Sequence, residues 1–167
     1  MSATAEICPW LEIVSRISVK LKLLSDTAKL PTYGSAKAAC CDLYADIKSL
    51  EGAPEKIYIG PGDVFKVPTG IAIQPPNGWC SLIYARSGIS VKKGLRPSNA
   101  VGVCDEDYTG EYIVALRNDS HEIQVVEQGD RVAQLMFVPY TQADFEIVGS
   151  LDETTRGSGG FGSSGIK

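Results

Sequence analysis

Short apolar runs that alternate with polar residues recur along most of the chain. In residues 18–24, Val19, Leu21 and Leu23 alternate with Lys20 and Lys22, which is the period of a strand with one buried face. Similar short runs lie at residues 41–45, 57–59, 64–67, 71–73, 79–85, 112–117, 122–126, 132–138 and 145–148. Glycine and proline turns separate many of them, and strands this short at intervals of roughly 8–12 residues are typical of an all-β sandwich or barrel such as a jelly roll.

The same pattern leaves room for one short helix, which we expect to start near Ser87 and run towards Lys92. We find no internal repeat and no second domain. The predicted organisation is an N-terminal arm at 1–17, a β-rich core at 18–150 and a C-terminal arm at 151–167. Residues 30–35 are predicted to form a loop.

Length and composition describe one ordinary globular domain. The chain has 167 residues, a hydrophobic content of 44% and a net charge of −4, which disfavours a nonspecific nucleic-acid binder. No apolar run is long enough to span a membrane, and we expect no secretory signal. The five cysteines form no Cys-x-x-Cys pair, so reduced thiols in a cytoplasmic protein are expected rather than disulfides or a zinc cluster.

The glycine- and serine-rich stretch at residues 156–165 cannot build a core, and its composition alone predicts a flexible terminus. However, Arg156 opens the stretch and Phe161 lies within it. Arginine and glycine backbone N–H groups can bind phosphates, and phenylalanine can stack on a base. Both interpretations remain open on composition.

Two other places could carry polar chemistry. Arg86, Ser87 and Gly88 lie where a strand ends and the short helix begins; this arrangement suits either a phosphate site or a capped helix with a surface arginine. Gln134 interrupts an apolar run, which indicates a partly wet face or a functional amide. The position of Asp42 is typical of a turn or strand-end cap.

The most unusual stretch is the acidic turn at 102–110, Gly-Val-Cys-Asp-Glu-Asp-Tyr-Thr-Gly. Such a turn can bind a cation, activate water or simply face solvent. It is too short for an EF-hand loop. The lone His121 lies among polar residues and gives no support for a Ser-His-Asp triad.

Taken in order, five segments closely resemble the five motifs of trimeric dUTP pyrophosphatases (dUTPases). They are Ala-Cys-Cys-Asp-Leu-Tyr-Ala at 39–45, Arg-Ser-Gly at 86–88, the acidic turn at 102–110, Gly-Asp-Arg-Val-Ala-Gln-Leu at 129–135, and the glycine-rich stretch at 156–165. The resemblance implies a jelly-roll (β-clip) subunit, a homotrimer with active sites shared between chains, and hydrolysis of dUTP to dUMP and pyrophosphate. That reaction keeps uracil out of DNA and supplies dUMP for dTMP synthesis, and Mg²⁺ would be held mainly by the triphosphate.

The resemblance also implies roles for individual residues. Asp105 would be the general base for the attacking water, and Tyr108 would lie under the deoxyribose and exclude ribonucleotides. The other implied contacts are with uracil (Asn99, Gly102, Val103, Cys104, Phe161), with the hairpin that lines the same pocket (Ile113), with the phosphates (Arg86, Ser87, Gly88, Gln134, Arg156, Gly162, Ser163, Ser164) and with Mg²⁺ through water (Asp42). Glu106 and Asp107 are expected to be solvated or structural.

Several positions depart from the family pattern. Cys40 replaces a usual glycine, Ala85 a usual proline and Cys104 a usual aliphatic residue, while Thr109 stands where arginine is common. None removes an implied catalytic group, although Cys104 beside Asp105 leaves oxidation sensitivity open. Two alternatives also remain: a dCTP deaminase-like enzyme, against which the intact acidic turn and glycine-rich arm argue, and a trimeric regulatory module of the same fold.

Overall fold

Twelve short strands and one helix account for the regular structure of the computed structural model, which describes residues 16–160. The strands are β1 Lys20–Leu23, β2 Thr32–Tyr33, β3 Cys41–Tyr44, β4 Lys56–Ile59, β5 Val64–Val67, β6 Ile71–Gln74, β7 Trp79–Tyr84, β8 Leu95–Pro97, β9 Gly102–Cys104, β10 Val114–Asn118, β11 Gln124–Glu127 and β12 Arg131–Pro139. The helix α1 is Ser87–Lys93, and one 3₁₀ turn is Ile47–Ser49.

Antiparallel pairing arranges these strands into four sheets. The largest has the order β2-β3-β12-β7-β9, and a second has the order β5-β10-β8. Two strand pairs, β1 with β6 and β4 with β11, complete the set. Neighbours in the sheets are mostly distant in sequence, as in jelly rolls, so the all-β prediction with one short helix is confirmed.

One apolar core lies between the sheets. It takes alternate residues from most strands, and its largest fully buried members include Leu43, Ile59, Ile71, Leu116 and Leu135. The alternation is clearest in β10, where Val114 and Leu116 are buried and Ala115 and Arg117 are partly exposed. The run at 112–117, predicted as a strand, thus contributes one face to the core.

A buried carboxylate anchors the loops at one end of the core. Asp46 is 1% exposed and accepts hydrogen bonds from Ser25, from Thr27 at 2.5 Å and from Gln128 at 3.0 Å. Burial raises the pKa of Asp46, but these hydrogen bonds outweigh it and hold the pKa below its ordinary value. Asp46 is therefore ionised at neutral pH and fully satisfied.

The structure departs from the predicted strands in two ways. Residues 32–33, expected in a loop, form β2 because they pair with β3, and β8 and β9 were not anticipated. Residues 145–148 form no strand, because no neighbouring strand within 16–160 pairs with them; Phe145 is 93% and Ile147 100% exposed. Most of the predicted N-terminal arm lies outside the described residues.

Within residues 16–160, no helix has the length and apolar character needed to cross a membrane.

Candidate functional site

The structure divides the predicted site residues between two surfaces. One group lines a cavity of ≈ 290 Å³ beside the acidic turn, which is at the lower end of the size range of small-molecule pockets. Its predicted members are Asn99, Gly102, Val103, Cys104, Asp105, Tyr108 and Ile113. None of Asp42, Arg86 and Gln134 lines this cavity.

One wall of the cavity is the edge strand β9. It pairs with β7 on one side, with Cys104 opposite Ser81 and Gly102 opposite Ile83, and its other edge is unpaired within the described sheet. An edge strand presents free backbone N–H and C=O groups. This wall can therefore pair with a planar ligand that carries both donors and acceptors on one edge.

Close approach of the backbone explains Gly102. A Cβ atom there would lie 3.2 Å from Cβ of Ile83 and 3.4 Å from Nδ2 of Asn99, which is tighter than ordinary contact. Asn99 is itself presented by a turn in which Ala100 adopts φ = 62°, a left-handed conformation that costs alanine roughly 1 kcal/mol. A strained turn and a glycine thus place the Asn99 amide at the cavity wall.

Tyr108 is held over the cavity by its own turn. Its hydroxyl donates to the carbonyl oxygen of Glu111 at 2.8 Å, and its ring covers Gly110, where a Cβ would lie 2.6 Å from the hydroxyl oxygen. The ring remains 44% exposed. It therefore offers an apolar face against which a flat or puckered ring can pack.

The acidic residues of the turn have different surroundings. Asp105 is exposed, and within residues 16–160 its carboxylate makes no hydrogen bond. Glu106 instead accepts a hydrogen bond of 2.6 Å from the backbone N–H of Gly78, and its hydrogen bond with Tyr140 raises the pKa of that phenol. Glu106 is therefore structural, whereas Asp105 can act on a ligand or water.

The second group lies on β3, β12 and the start of α1. Arg86 Nε donates to Asp42 at 2.5 Å, and Arg131 donates to the other carboxylate oxygen of Asp42 at 3.2 Å. Gln134 Nε2 donates to the carbonyl oxygen of Ala85 at 2.8 Å. Ser87 and Gly88 follow in the exposed first turn of α1, so this surface combines arginine donors with exposed helical backbone N–H groups, which suits a phosphate.

Strand register places the side chains of Gln134 and Cys104 on opposite faces of the largest sheet. Asp42, Gln134 and Tyr84 are paired in one row across β3, β12 and β7, and paired residues share a face. Their neighbours in sequence point to the other face, which includes Ile83 in β7 and, by pairing with Ser81, Cys104 in β9. The side chains of Cys104 and Gln134 therefore cannot meet on the same chain.

Sequence reasoning missed a buried polar pair at the cavity wall. Tyr112, which is 1% exposed, shares a hydrogen bond of 2.8 Å with Ser81, and Ser81 is paired with Cys104 across β7 and β9. Burial raises the pKa of Tyr112 to about 12 and that of Cys104 above its ordinary value. Both groups are neutral at neutral pH, which disfavours oxidation of Cys104.

Arg156, the predicted arm residue within the described part of the chain, joins neither group. Arg156 is exposed and donates from Nε to the carbonyl oxygen of Gly159 at 2.8 Å. The remaining predicted arm residues, Phe161, Gly162, Ser163 and Ser164, lie outside the described residues.

The described side chains do not enclose a metal ion by themselves. Within the described part of the chain, no group of three or more His, Cys, Asp and Glu side chains could hold a metal ion. Asp42 offers a single carboxylate that already accepts from two arginines. These residues fit an ion whose ligands come chiefly from a bound ligand and water rather than from the protein.

Comparison with known proteins gives one consistent family. A family model described as dUTPase matches residues 26–165. The chain is 44% identical over 154 residues to the deoxyuridine 5′-triphosphate nucleotidohydrolase of Desulfitobacterium hafniense, which covers 89% of this chain and 98% of that protein. It is 42% identical over 156 residues to the enzyme of the same name from Maricaulis maris, which covers 92% and 100% of the two chains.

Solved structures show the same fold. A mutant dUTPase of Staphylococcus bacteriophage 80alpha, solved with dUpNHpp, matches with a TM-score of 0.74 at 25% identity and covers 89% of this chain and 99% of that chain. A mutant dUTPase of phage phi11 of S. aureus, described with a structural Mg(II) ion, matches with a TM-score of 0.67 at 23% identity and covers 80% and 97%.

Proposed function

The chain belongs to the dUTPase family, and we propose that it hydrolyses dUTP to dUMP and pyrophosphate with Asp105 as the general base. The observation that carries the proposal is the cavity in which the exposed Asp105 lies beside Tyr108, Asn99 and the edge strand β9. A carboxylate that has no hydrogen-bond partner among residues 16–160, next to a pocket of nucleoside size, is suited to orient and deprotonate a water molecule.

The cavity supports a role in nucleoside selection. The free edge of β9 at 102–104 would read the donor and acceptor groups of uracil, with the Asn99 amide beside it. Tyr108 would pack under the deoxyribose and leave no space for a 2′-hydroxyl, and Ile113 would line the same pocket. A wrong base edge would leave buried polar groups unpaired, which is a strong basis for selectivity.

The second surface supports a role in triphosphate binding. Only the Nε donor of Arg86 is engaged within the described residues, so its terminal nitrogens would bind phosphate oxygens together with the Ser87 and Gly88 backbone. Gln134 would contact the phosphate chain. When bound, Mg²⁺ would neutralise phosphate charge, with Asp42 binding it through water.

Because the side chains of Cys104 and Gln134 lie on opposite faces of one sheet, we propose that a complete site combines chains of a homotrimer. One chain would supply Asp42, Arg86 and Gln134, and a second would supply the cavity with Asp105. The C-terminal arm at 151–167 would close over the site, with Arg156 at the γ-phosphate, Phe161 over uracil, and residues 162–164 on the terminal phosphates. Such a lid would exclude water from the reaction.

We place the reaction in the cytoplasm. The described cysteines, Cys40, Cys41, Cys80 and Cys104, are all free thiols, which suits a reducing compartment. There the enzyme would keep dUTP low, limiting uracil in DNA, and supply dUMP.

The decisive experiment is to offer dUTP, dTTP, dCTP and UTP with Mg²⁺ to the purified protein. We expect dUMP and pyrophosphate from dUTP and little turnover of the others. Ammonia release from dCTP would favour the deaminase instead, and a protein that binds dUTP without hydrolysing it would favour the regulatory module.

Asp105→Asn tests the proposed base directly. The variant should bind dUTP normally but lose about 10²–10⁴-fold in turnover, measured by pyrophosphate release and by equilibrium binding of a nonhydrolysable analogue. Asp107→Asn, an acidic neighbour of the same turn, is the matched control and should stay close to wild type. Near-normal turnover of Asp105→Asn would refute the assignment.

A further inference from the structure

Tyr112 lines the nucleoside cavity, and its side chain contacts two parts of the cavity wall. Its hydroxyl shares a hydrogen bond of 2.8 Å with Ser81, which lies in β7 opposite Cys104 of β9 and so joins Tyr112 to the β7–β9 wall. Its ring lies 6.1 Å from the ring of Tyr108 at 34°, which joins it to the acidic turn. All of these contacts are made by a side chain that is itself buried.

Within the described sheets, no backbone pairing joins these two parts of the cavity wall directly. β9 pairs only with β7 in the described sheets, and the segment that leads into β10 is held elsewhere. Tyr112 N–H donates to the carbonyl oxygen of Ile71 at 2.9 Å, and the Tyr112 carbonyl oxygen accepts a hydrogen bond from Thr69. The backbone of Tyr112 is thus fixed to one side of the cavity while its hydroxyl reaches the other.

We propose that Tyr112, through the hydrogen bond of its hydroxyl with Ser81, is a positioning residue that fixes the width of the uracil pocket and so determines rejection of a 5-methylated base. The proposal rests on the proposed dUTPase function. A wall can reject one methyl group only if it does not move outwards when the larger base enters. A buried hydroxyl–hydroxyl bond resists that movement because breaking it leaves polar groups without partners.

Two substrate ratios distinguish an effect of Tyr112 on base selection from an effect on sugar selection. Tyr112→Phe removes only the hydroxyl, so the ring contact with Tyr108 persists while the hydrogen bond to Ser81 in the β7–β9 wall is lost. We expect the ratio of kcat/KM for dUTP over dTTP to fall by about 10-fold. The ratio for dUTP over UTP, which depends on Tyr108, should change by less than about 2-fold.

Ser81→Ala removes the partner of the same bond and leaves Tyr112 in place, so it should reproduce the loss of base discrimination. Tyr44→Phe is the matched control, because it deletes a tyrosine hydroxyl that bonds to Thr32 away from the cavity. It should leave both ratios unchanged. A purely structural defect in Tyr112→Phe would lower turnover of every nucleotide alike and leave the ratios intact, and that result would overturn the proposal.

Binding measurements distinguish failure of this inference from failure of the proposed function. Calorimetric affinities for dUMP and dTMP require no turnover, so their ratio tests the pocket even if the wild-type protein does not hydrolyse dUTP. An inactive wild type would refute the proposed function. A dUMP-to-dTMP affinity ratio that is equal in wild type, Tyr112→Phe and Ser81→Ala would refute the role of Tyr112.

Discussion

Replacing Arg86 with alanine should destabilise the fold, because Arg86 neutralises a nearly buried carboxylate. The Asp42 and Arg86 side chains are 12% and 21% exposed, and their charged atoms are 2.5 Å apart. Loss of one partner from a fully buried pair costs about 3–5 kcal/mol. Arg131 remains 3.2 Å from the other oxygen of Asp42, and some solvent reaches the site, so we expect a loss of about 1–3 kcal/mol.

Urea unfolding followed by tryptophan fluorescence measures this loss, at one fixed protein concentration because assembly contributes to stability. Arg131→Ala is the matched control: it contacts the same carboxylate, but its side chain is 53% exposed. We expect a cost of about 0–1 kcal/mol for that variant. If Arg86→Ala were no less stable than Arg131→Ala, burial of the Asp42–Arg86 pair would not determine its strength and the reasoning would be wrong.

The same two variants also separate stability from phosphate binding. Pyrophosphate should raise the Tm of the wild type and of Arg131→Ala, since a ligand that binds only the folded state stabilises it. The increase should be much smaller in Arg86→Ala. An equal increase in all three proteins would show that the terminal nitrogens of Arg86 do not bind phosphate.

Three further changes test other parts of the molecule. Asp46 has a lowered pKa, so the stability that it contributes is present above its unfolded pKa of about 4 and is lost as pH falls through the folded pKa. Asp46→Asn should therefore flatten the acid side of a plot of urea midpoint against pH. An unchanged slope would argue against this contribution of Asp46. Glu106→Ala removes the acceptor that holds Gly78 and Tyr140 and should lower kcat by about 10-fold. Glu106→Gln keeps an acceptor and should retain most activity in steady-state assays. Equal losses in both variants would contradict a positioning role for Glu106. Truncation before Arg156 should preserve the circular dichroism spectrum but abolish most pyrophosphate release, and full activity of the truncated protein would disprove the lid.

Alternation of apolar and polar residues predicted most of the strands, because each has one face in the core. The pattern fails where an element is defined by pairing rather than by burial. β2 consists of two exposed residues, Thr32 and Tyr33, that pair with β3, and β9 is too short to alternate visibly. Residues 145–148 show the opposite case, since their apolar pattern resembles a strand but no partner strand is present within residues 16–160.

Site residues were predictable where their motif carried unusual chemistry. Asp105 and Tyr108 stand out in an acidic turn, and both line the cavity. Tyr112 gave no such signal, because the sequence pattern predicts that a single aromatic residue in an apolar run belongs to the apolar core. Its hydrogen bond is with Ser81, which is distant in sequence, and only the packing of the folded chain brings the two hydroxyl groups together.

The acidic turn also shows how a carboxylate can be kept available beside other acids. Like charges in one short turn repel each other, yet two acids in or next to the turn accept hydrogen bonds from backbone donors. Glu106 accepts from Gly78 N–H at 2.6 Å, and Glu111 accepts from the N–H groups of Thr69 and Gly70 at 3.2 and 2.8 Å. These bonds hold the middle of the turn and the residue that follows it against neighbouring turns. The carboxylate of Asp105, exposed and without a hydrogen bond in residues 16–160, is left with its oxygens free for water.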